Sequence, residues 1–126
     1  MPTLETTARD AAVDAIVDLF DAGTGAATLI FETSGDVEVA TCTFSNPAYG
    51  ASASGTAQEN AITSDSDATG GVVEHASIKD SNVLKQVELT CTAPAGGGDI
   101  EITGGLTIGA GATVSCSDLS FTMPAS

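Results

Sequence analysis

Basic side chains are almost missing from this chain. Arg9, Lys79 and Lys85 stand alone against 17 Asp and Glu, which gives the 126 residues a formal net charge of −14. Binding a phosphate backbone needs clustered Lys and Arg that displace counterions. Three scattered cations do not supply that, so direct nucleic-acid binding is excluded, and so is attraction to an anionic membrane surface. No apolar run approaches the roughly 18 to 20 residues of a spanning helix. The opening MPTLETTARDA has neither the basic n-region nor the apolar h-region of a signal peptide, so the expectation is a soluble protein of the cytoplasm in which it is made.

Aromatic residues are also scarce. There is no Trp, one Tyr (Tyr49) and four Phe, whereas Ala, Thr, Gly and Ser together fill half of the chain. The expected core is thin and rests on β-branched and small aliphatic packing, with no aromatic anchors. The length suits a single domain over residues 1–126. Strong acidity keeps a protein soluble at high local copy number and is common in salt-adapted chains.

Chemistry-bearing residues are few. Cys42, Cys91 and Cys116 lie far apart with no CxxC pair, and the single His75 has no cysteine neighbour, so structural zinc spacings are absent. Each cysteine falls on the apolar side of an alternating pattern and is expected to be a reduced, small core residue, an intramolecular or intersubunit disulfide being the alternative. His75 is expected mid-strand, facing solvent. No GxSxG elbow is present, and Cys91 with His75 has no orienting motif. Gly96-Gly97-Gly98 lacks the GK[ST] ending of a phosphate loop and reads as a strand connection. Asp65-Ser66-Asp67 before Gly70-Gly71 alternates oxygen groups as hard cations favour, but without an EF-hand frame it reads as a solvated acidic turn. No catalytic residue, cofactor or metal is expected.

Residues 6–22 carry the one strong helical pattern. Thr6 or Thr7 can cap it, Asp10 takes a capping-box-like position, and Gly23 and Gly25 end it. Ala12, Ile16, Leu19 and Phe20, flanked by Val13 and Ala15, define the face expected to dock. Asp10, Asp14, Asp18 and Asp21 define an acidic back. After Gly25 the period changes to 2. Residues 28–33 and 37–45 read as a hairpin across Ser34-Gly35-Asp36. Residues 46–71 hold only Tyr49 and Ile62 as large apolar side chains and read either as a long surface excursion or as a loop with one short strand around Ala61–Thr63, a candidate for ordering by a partner. Strands return at 72–79 and 83–92, then in short pieces at 99–102, 106–108, 113–116 and 119–123. The expected fold is mainly β, an antiparallel β-sandwich or jelly-roll-like domain with one N-terminal amphipathic helix at 8–22, an arm at 1–7 and a β-domain over 28–126.

Several segments, in order and approximate spacing, resemble a group of small virion proteins of tailed bacteriophages. They are TTARDAAVDAIVDLFDAGTGAATLIFET, ATCTFSNPAYGASASGTA, ENAITSDSDA, VEHASIKDS and the closing GGGDIEI…LTIGAGATVSCSDLSFTMPAS. The resemblance covers most of the chain. It departs at Ala76, where a larger core residue is expected, and in having three cysteines. It implies a structural virion component without enzymatic activity, similar in size and β character to capsid decoration (cement) proteins. The implied partners are the major capsid protein or other virion proteins and copies of the chain itself, a trimer first, because a cyclic trimer suits capsid three-fold positions. The contact surface expected under that reading is residues 46–71 with the N-terminal arm, and the candidate contact residues are Thr3, Leu4, Pro47, Tyr49 and Ile62. Rival readings are a tail or neck structural protein and a carbohydrate-binding β-sandwich, the latter disfavoured because such sites use aromatic platforms and only Tyr49 is on offer.

Overall fold

A computed structural model describes residues 2–126. Helix α1 spans Thr6–Asp18 and tightens into a 3-10 turn over Leu19–Asp21. Strands β1 (Thr28–Glu32) and β2 (Glu38–Phe44) follow, then β3 (Thr56–Ala57), β4 (Ile62–Thr63), β5 (Gly71–Val72), β6 (His75–Lys79), β7 (Lys85–Thr92), β8 (Ile100–Glu101), β9 (Thr107–Ile108) and β10 (Phe121–Thr122). The fold is mainly β with one N-terminal helix, in a β-sandwich-like arrangement. Its frame is a six-stranded sheet in the order β4-β2-β1-β6-β7-β8, and two two-stranded ribbons, β10-β3 and β5-β9, complete it.

Alternation places the core. Leu29 lies between Cys42 and Ile78 in register, and Phe31 between Ala40 and Ala76, with Leu89 next to Ala76. All of these are buried on one face of the sheet. Ala76, small where a larger residue is expected, is flanked by Phe31 and Leu89, which supply the volume. All pairs within the sheet are antiparallel except β7 with β8, which run parallel. The 93–99 loop makes that possible. The Asp99 carboxylate accepts from the Thr90 N–H at 2.9 Å, and Gly98 N–H donates to Thr92 Oγ1 at 3.1 Å. A Cβ at Gly96 would sit 2.5 Å from Thr92 Cβ, so the loop needs glycine there to turn against β7.

Four expectations change. The helix docks through Val13, Val17 and Phe20, all buried, while Leu19 is 51% exposed. The docked face is thus turned toward the acid side of the helix. Its N-cap is Glu5, with no side-chain cap from Thr6 or Thr7. Second, the core does have aromatic anchors. Phe20, Tyr49 and Phe121 stand with ring centroids 5.6 to 5.7 Å apart, and Phe44 lies 5.9 Å from Tyr49. Such pairs add about 0.5–1.5 kcal/mol each beyond their buried area. Third, residues 113–116 form no strand; Val114 makes a single bridge to Asp65. Its carbonyl also accepts from the Cys42 thiol at 3.4 Å.

The fourth change concerns residues 46–71. Ala48, Tyr49, Ala57 and Ala68 are buried there, so the segment is part of the domain core. Its backbone is held by the helix acids. Asp21 Oδ1 accepts from Ala48 N–H at 2.8 Å, Asp14 Oδ1 from Ser52 N–H at 3.0 Å, and Asp10 Oδ1 from Gly55 N–H at 2.6 Å. Asp65 further on accepts from Thr41 N–H at 2.9 Å and from Asp67 N–H at 2.9 Å. The expected acidic back is therefore a row of acceptors for a segment with few strand partners. Of the four helix acids only Asp18 is exposed.

Candidate functional site

The five candidate contact residues separate. Thr3, Leu4 and Pro47 are exposed, and Leu4 N–H donates to Ala125 O at 2.7 Å, which ties the arm to the C-terminal residues. Ile62 is half-buried beside Phe44 on edge strand β4. Tyr49 is 5% exposed, and its hydroxyl donates to Leu119 O at 2.5 Å. Burial pushes the Tyr49 phenol upward, with the charge of Glu59 adding to it. Tyr49 is a core residue and offers no contact surface, because its ring and its hydroxyl are both used inside the chain.

Exposed apolar side chains missed in the sequence lie at the two ends of the sheet. Val83 is 72% exposed and Leu84 62%, on the turn between β6 and β7. Ser81 of the same turn donates to Ala22 O and accepts from Gly25 N–H, both at 3.1 Å, which places the turn beside the end of the helix and exposed Leu19. At the opposite end, Val37 follows the β1–β2 turn and Val72 lies on β5. The two hairpin turns are built alike. Asp36 N–H donates to Thr33 O, and Val83 N–H to Asp80 O. Asp36 and Val83 then take left-handed backbone, with φ of 62° and 63°. Asp tolerates that region, and glycine is usual at this place in such loops. A β-branched valine there is an outlier whose strain is of order 1–2 kcal/mol. No periodicity reveals such a residue, since the signal is a backbone angle.

A polar group occupies the other face of the sheet. His75, expected at the surface, is 6% exposed, and in register it faces Glu32, itself buried. The β1–β2 turn folds back so that Asp36 Oδ1 lies 2.9 Å from His75 Nε2, while Glu32 Oε1 lies 3.3 Å from the same atom. The other ring nitrogen, Nδ1, meets Glu74 Oε2 at 2.5 Å. That bond raises the imidazole above its ordinary range, burial opposes it, and the charges of Glu88, Glu32 and Glu74 add to the rise. Ser77 Oγ donates to Glu32 Oε1 at 2.6 Å, and Lys79 Nζ lies 3.7 Å from Glu32 Oε2. Glu32 and His75 stand 43 positions apart and meet only through strand pairing, which is why the sequence hid them.

Comparison with protein-family models, curated proteins and solved structures gives no match.

The remaining reactive groups are quiet. None of the three cysteines is bridged to another. Burial raises all three thiols, Cys91 to about 11 with Asp99 and Glu74 contributing, so they are protonated near neutrality. A cleft of about 400 Å³ between residues 99–103 and 113–118 is lined by Asp99, Glu101 and Asp118 and by no basic side chain. No described helix is long and apolar enough to cross a membrane.

Proposed function

We propose that this chain is a structural component of a tailed-bacteriophage virion, a capsid decoration protein that stabilises the head through protein–protein contacts. The observation that carries this reading is Val83. An isolated domain gains nothing from a valine that is both strained and 72% exposed. Local strain of this kind persists where the surroundings or a partner compensate it. A partner that covers Val83 and Leu84 supplies that compensation through apolar burial. Val37 and Val72 at the opposite end offer a second apolar contact, so one copy has the means to touch two neighbours.

Repetition then does the mechanical work. Each copy contributes a modest interface, and many copies around the shell resist internal pressure together. Two of the three basic side chains are paired within the chain, Lys79 with Glu32 and Lys85 with Glu88. The outer surface is therefore acidic and best suits a neutral or basic protein partner around the apolar anchors. Self-association as a trimer at three-fold positions belongs to the same proposal. The carbohydrate-binding alternative loses its aromatic platform, because Tyr49 is buried.

The test is binding of the purified chain to empty, expanded capsids that lack it, with wild type and Val83→Asn compared. Asn tolerates left-handed backbone. The variant is expected to be more stable than wild type by about 0.5–1 kcal/mol in urea and to bind capsids at least tenfold more weakly. Wild-type protein that ignores capsids but copurifies with isolated tails would move the role to the tail. Equal capsid binding by both proteins would remove Val83 from the interface.

A further inference from the structure

We propose that Glu32, Asp36 and His75 form a binding site for one first-row divalent metal ion, Zn²⁺ first among them, with His75 Nε2, Glu32 Oε1 and Asp36 Oδ1 as the protein ligands and water at the remaining positions. The inference does not rest on the virion reading. Among the described residues this is the one group of three His, Cys, Asp or Glu whose ligand atoms lie within 4.8 Å of one another.

The second observation is the state of His75 Nε2. It is buried and has no hydrogen-bond partner, although two carboxylate oxygens lie near it. Neither Asp36 Oδ1 at 2.9 Å nor Glu32 Oε1 at 3.3 Å meets the ring nitrogen in hydrogen-bond geometry. A proton on Nε2 points along one direction and serves one oxygen well. A metal ion has no such direction. With bonds of about 2.0–2.2 Å, adjacent ligand atoms around a tetrahedral zinc stand about 3.3–3.6 Å apart. Glu32 Oε1 at 3.3 Å is at that spacing, and Asp36 Oδ1 at 2.9 Å reaches it by moving out a few tenths of an ångström on its exposed turn.

The outer contacts fit the same reading. A metal-binding imidazole commonly donates its other N–H to a carboxylate, which fixes the tautomer and raises ligand basicity. Here Glu74 Oε2 lies 2.5 Å from Nδ1 in the position of such an acceptor, and a proton held there leaves the Nε2 lone pair beside Glu32 and Asp36 for a metal. Glu32 is oriented in turn by Ser77 at 2.6 Å. One imidazole and two carboxylates are a borderline-hard donor set that suits Zn²⁺ or Mn²⁺. The chain's acid excess helps, since three carboxylates converge on one imidazole, with Lys79 beside Glu32 and Lys85 close enough to feel Asp36 and Glu32 as the opposing permanent cations. Bound metal would pin the β1–β2 turn, and with it Val37, onto β6.

His75 is the sole histidine, so its ring signals in a nitrogen-correlated spectrum are unambiguous. The full chain is titrated with Zn²⁺ at pH 8 by calorimetry and by that spectrum, and with Co²⁺ by absorption. The expected result is one ion per chain, a shift of the Nε2 resonance with Nδ1 still protonated, and a cobalt spectrum without a thiolate charge-transfer band. Asp36→Asn is the principal variant, because Asp36 is exposed and Asn accepts its backbone angle. It is expected to weaken binding more than tenfold with an unchanged circular-dichroism spectrum. Glu74→Gln is expected to weaken binding by about 10–100-fold. An unshifted imidazole at millimolar Zn²⁺, a thiolate band with Co²⁺, or equal affinity in Asp36→Asn would each overturn the site and leave His75 as a buried ion-paired imidazole.

Discussion

The four-stranded centre of the sheet and residues 46–71 solve the same problem by different means. Strands β1, β2, β6 and β7 satisfy their backbone groups with one another and bury Leu29, Phe31, Cys42 and Ile78 on one face. Residues 46–71 contain only two two-residue strands, β3 and β4, before β5 begins. Three of their N–H groups, those of Ala48, Ser52 and Gly55, go to carboxylates on the helix, others go to backbone carbonyls such as Gly50 to Gln58 and Ala68 to Ala112, and Glu59 Oε1 accepts from Leu119 N–H at 2.9 Å. A chain that is half small residues has little side-chain area with which to hold a long connection. Here acidic side chains do so. Elsewhere the device recurs: Asp80 accepts from Asn82 and Leu84 N–H, Asp99 from Thr90 N–H, and Glu101 from Ala95 and Gly97 N–H. The net charge of −14 is in large part a set of loop ties as well as a solubilising coat.

The strongest way to break this comparison is at Tyr49. If 46–71 is integral to the core, Tyr49→Ala costs about 3–5 kcal/mol in urea unfolding, as for other large buried aromatics. A loose excursion would lose less than about 1 kcal/mol. Tyr49→Phe keeps the ring, deletes the bond to Leu119 O, and is expected to lose about 1 kcal/mol. Next in size is the helix row. Asp14→Ala leaves the half-buried Ser52 N–H without its acceptor and is expected to cost about 1–2 kcal/mol, even though alanine is the better helix former.

Acid sharpens the comparison further. Asp65 is held below its ordinary range by the N–H bonds of Thr41 and Asp67, and Asp80 by the Leu84 N–H first, with Gln86 and Asn82 adding. A lowered folded-state value means that the native state binds fewer protons than the unfolded chain. The stabilisation is fully present above the unfolded value near about pH 4 and is lost as pH falls through the lower native values. Urea midpoints measured from pH 7 to pH 2 should rise slightly as pH falls through the unfolded imidazole value near about 6.5, because native His75 holds its proton more tightly, stay level to about pH 5 and then drop. In Asp65→Asn the drop should be shallower.

The two regions also differ in how far the sequence reveals them. Alternation placed Cys42 and Cys91 on the buried face, where they are found, because a one-sided sheet writes a period of 2 into its residues. It misplaced His75, because the turn carrying Asp36 folds over what is otherwise the polar face. Helical spacing located α1 but set the docking face toward Leu19, since the acids were read as solvated. What Asp10, Asp14 and Asp21 bind is backbone, and backbone N–H groups leave no trace in the residue pattern. The same holds for Val83, whose meaning lies in its φ. The pairing of Phe20, Tyr49 and Phe121 depends on bringing together three segments far apart in the chain, so five scattered aromatics looked too few to anchor a core.

The central claim is that residues 46–57 are held by the chain itself, through three helix carboxylates together with backbone bonds, without any partner. Amide hydrogen exchange on the isolated protein tests it most directly. The account predicts that the amides of Ala48, Ser52 and Gly55 exchange slowly, with protection approaching that of β1 and β6, and that Asp14→Ala releases Ser52. Exchange at these three amides as fast as in an unstructured peptide, while the sheet stays protected, would contradict it.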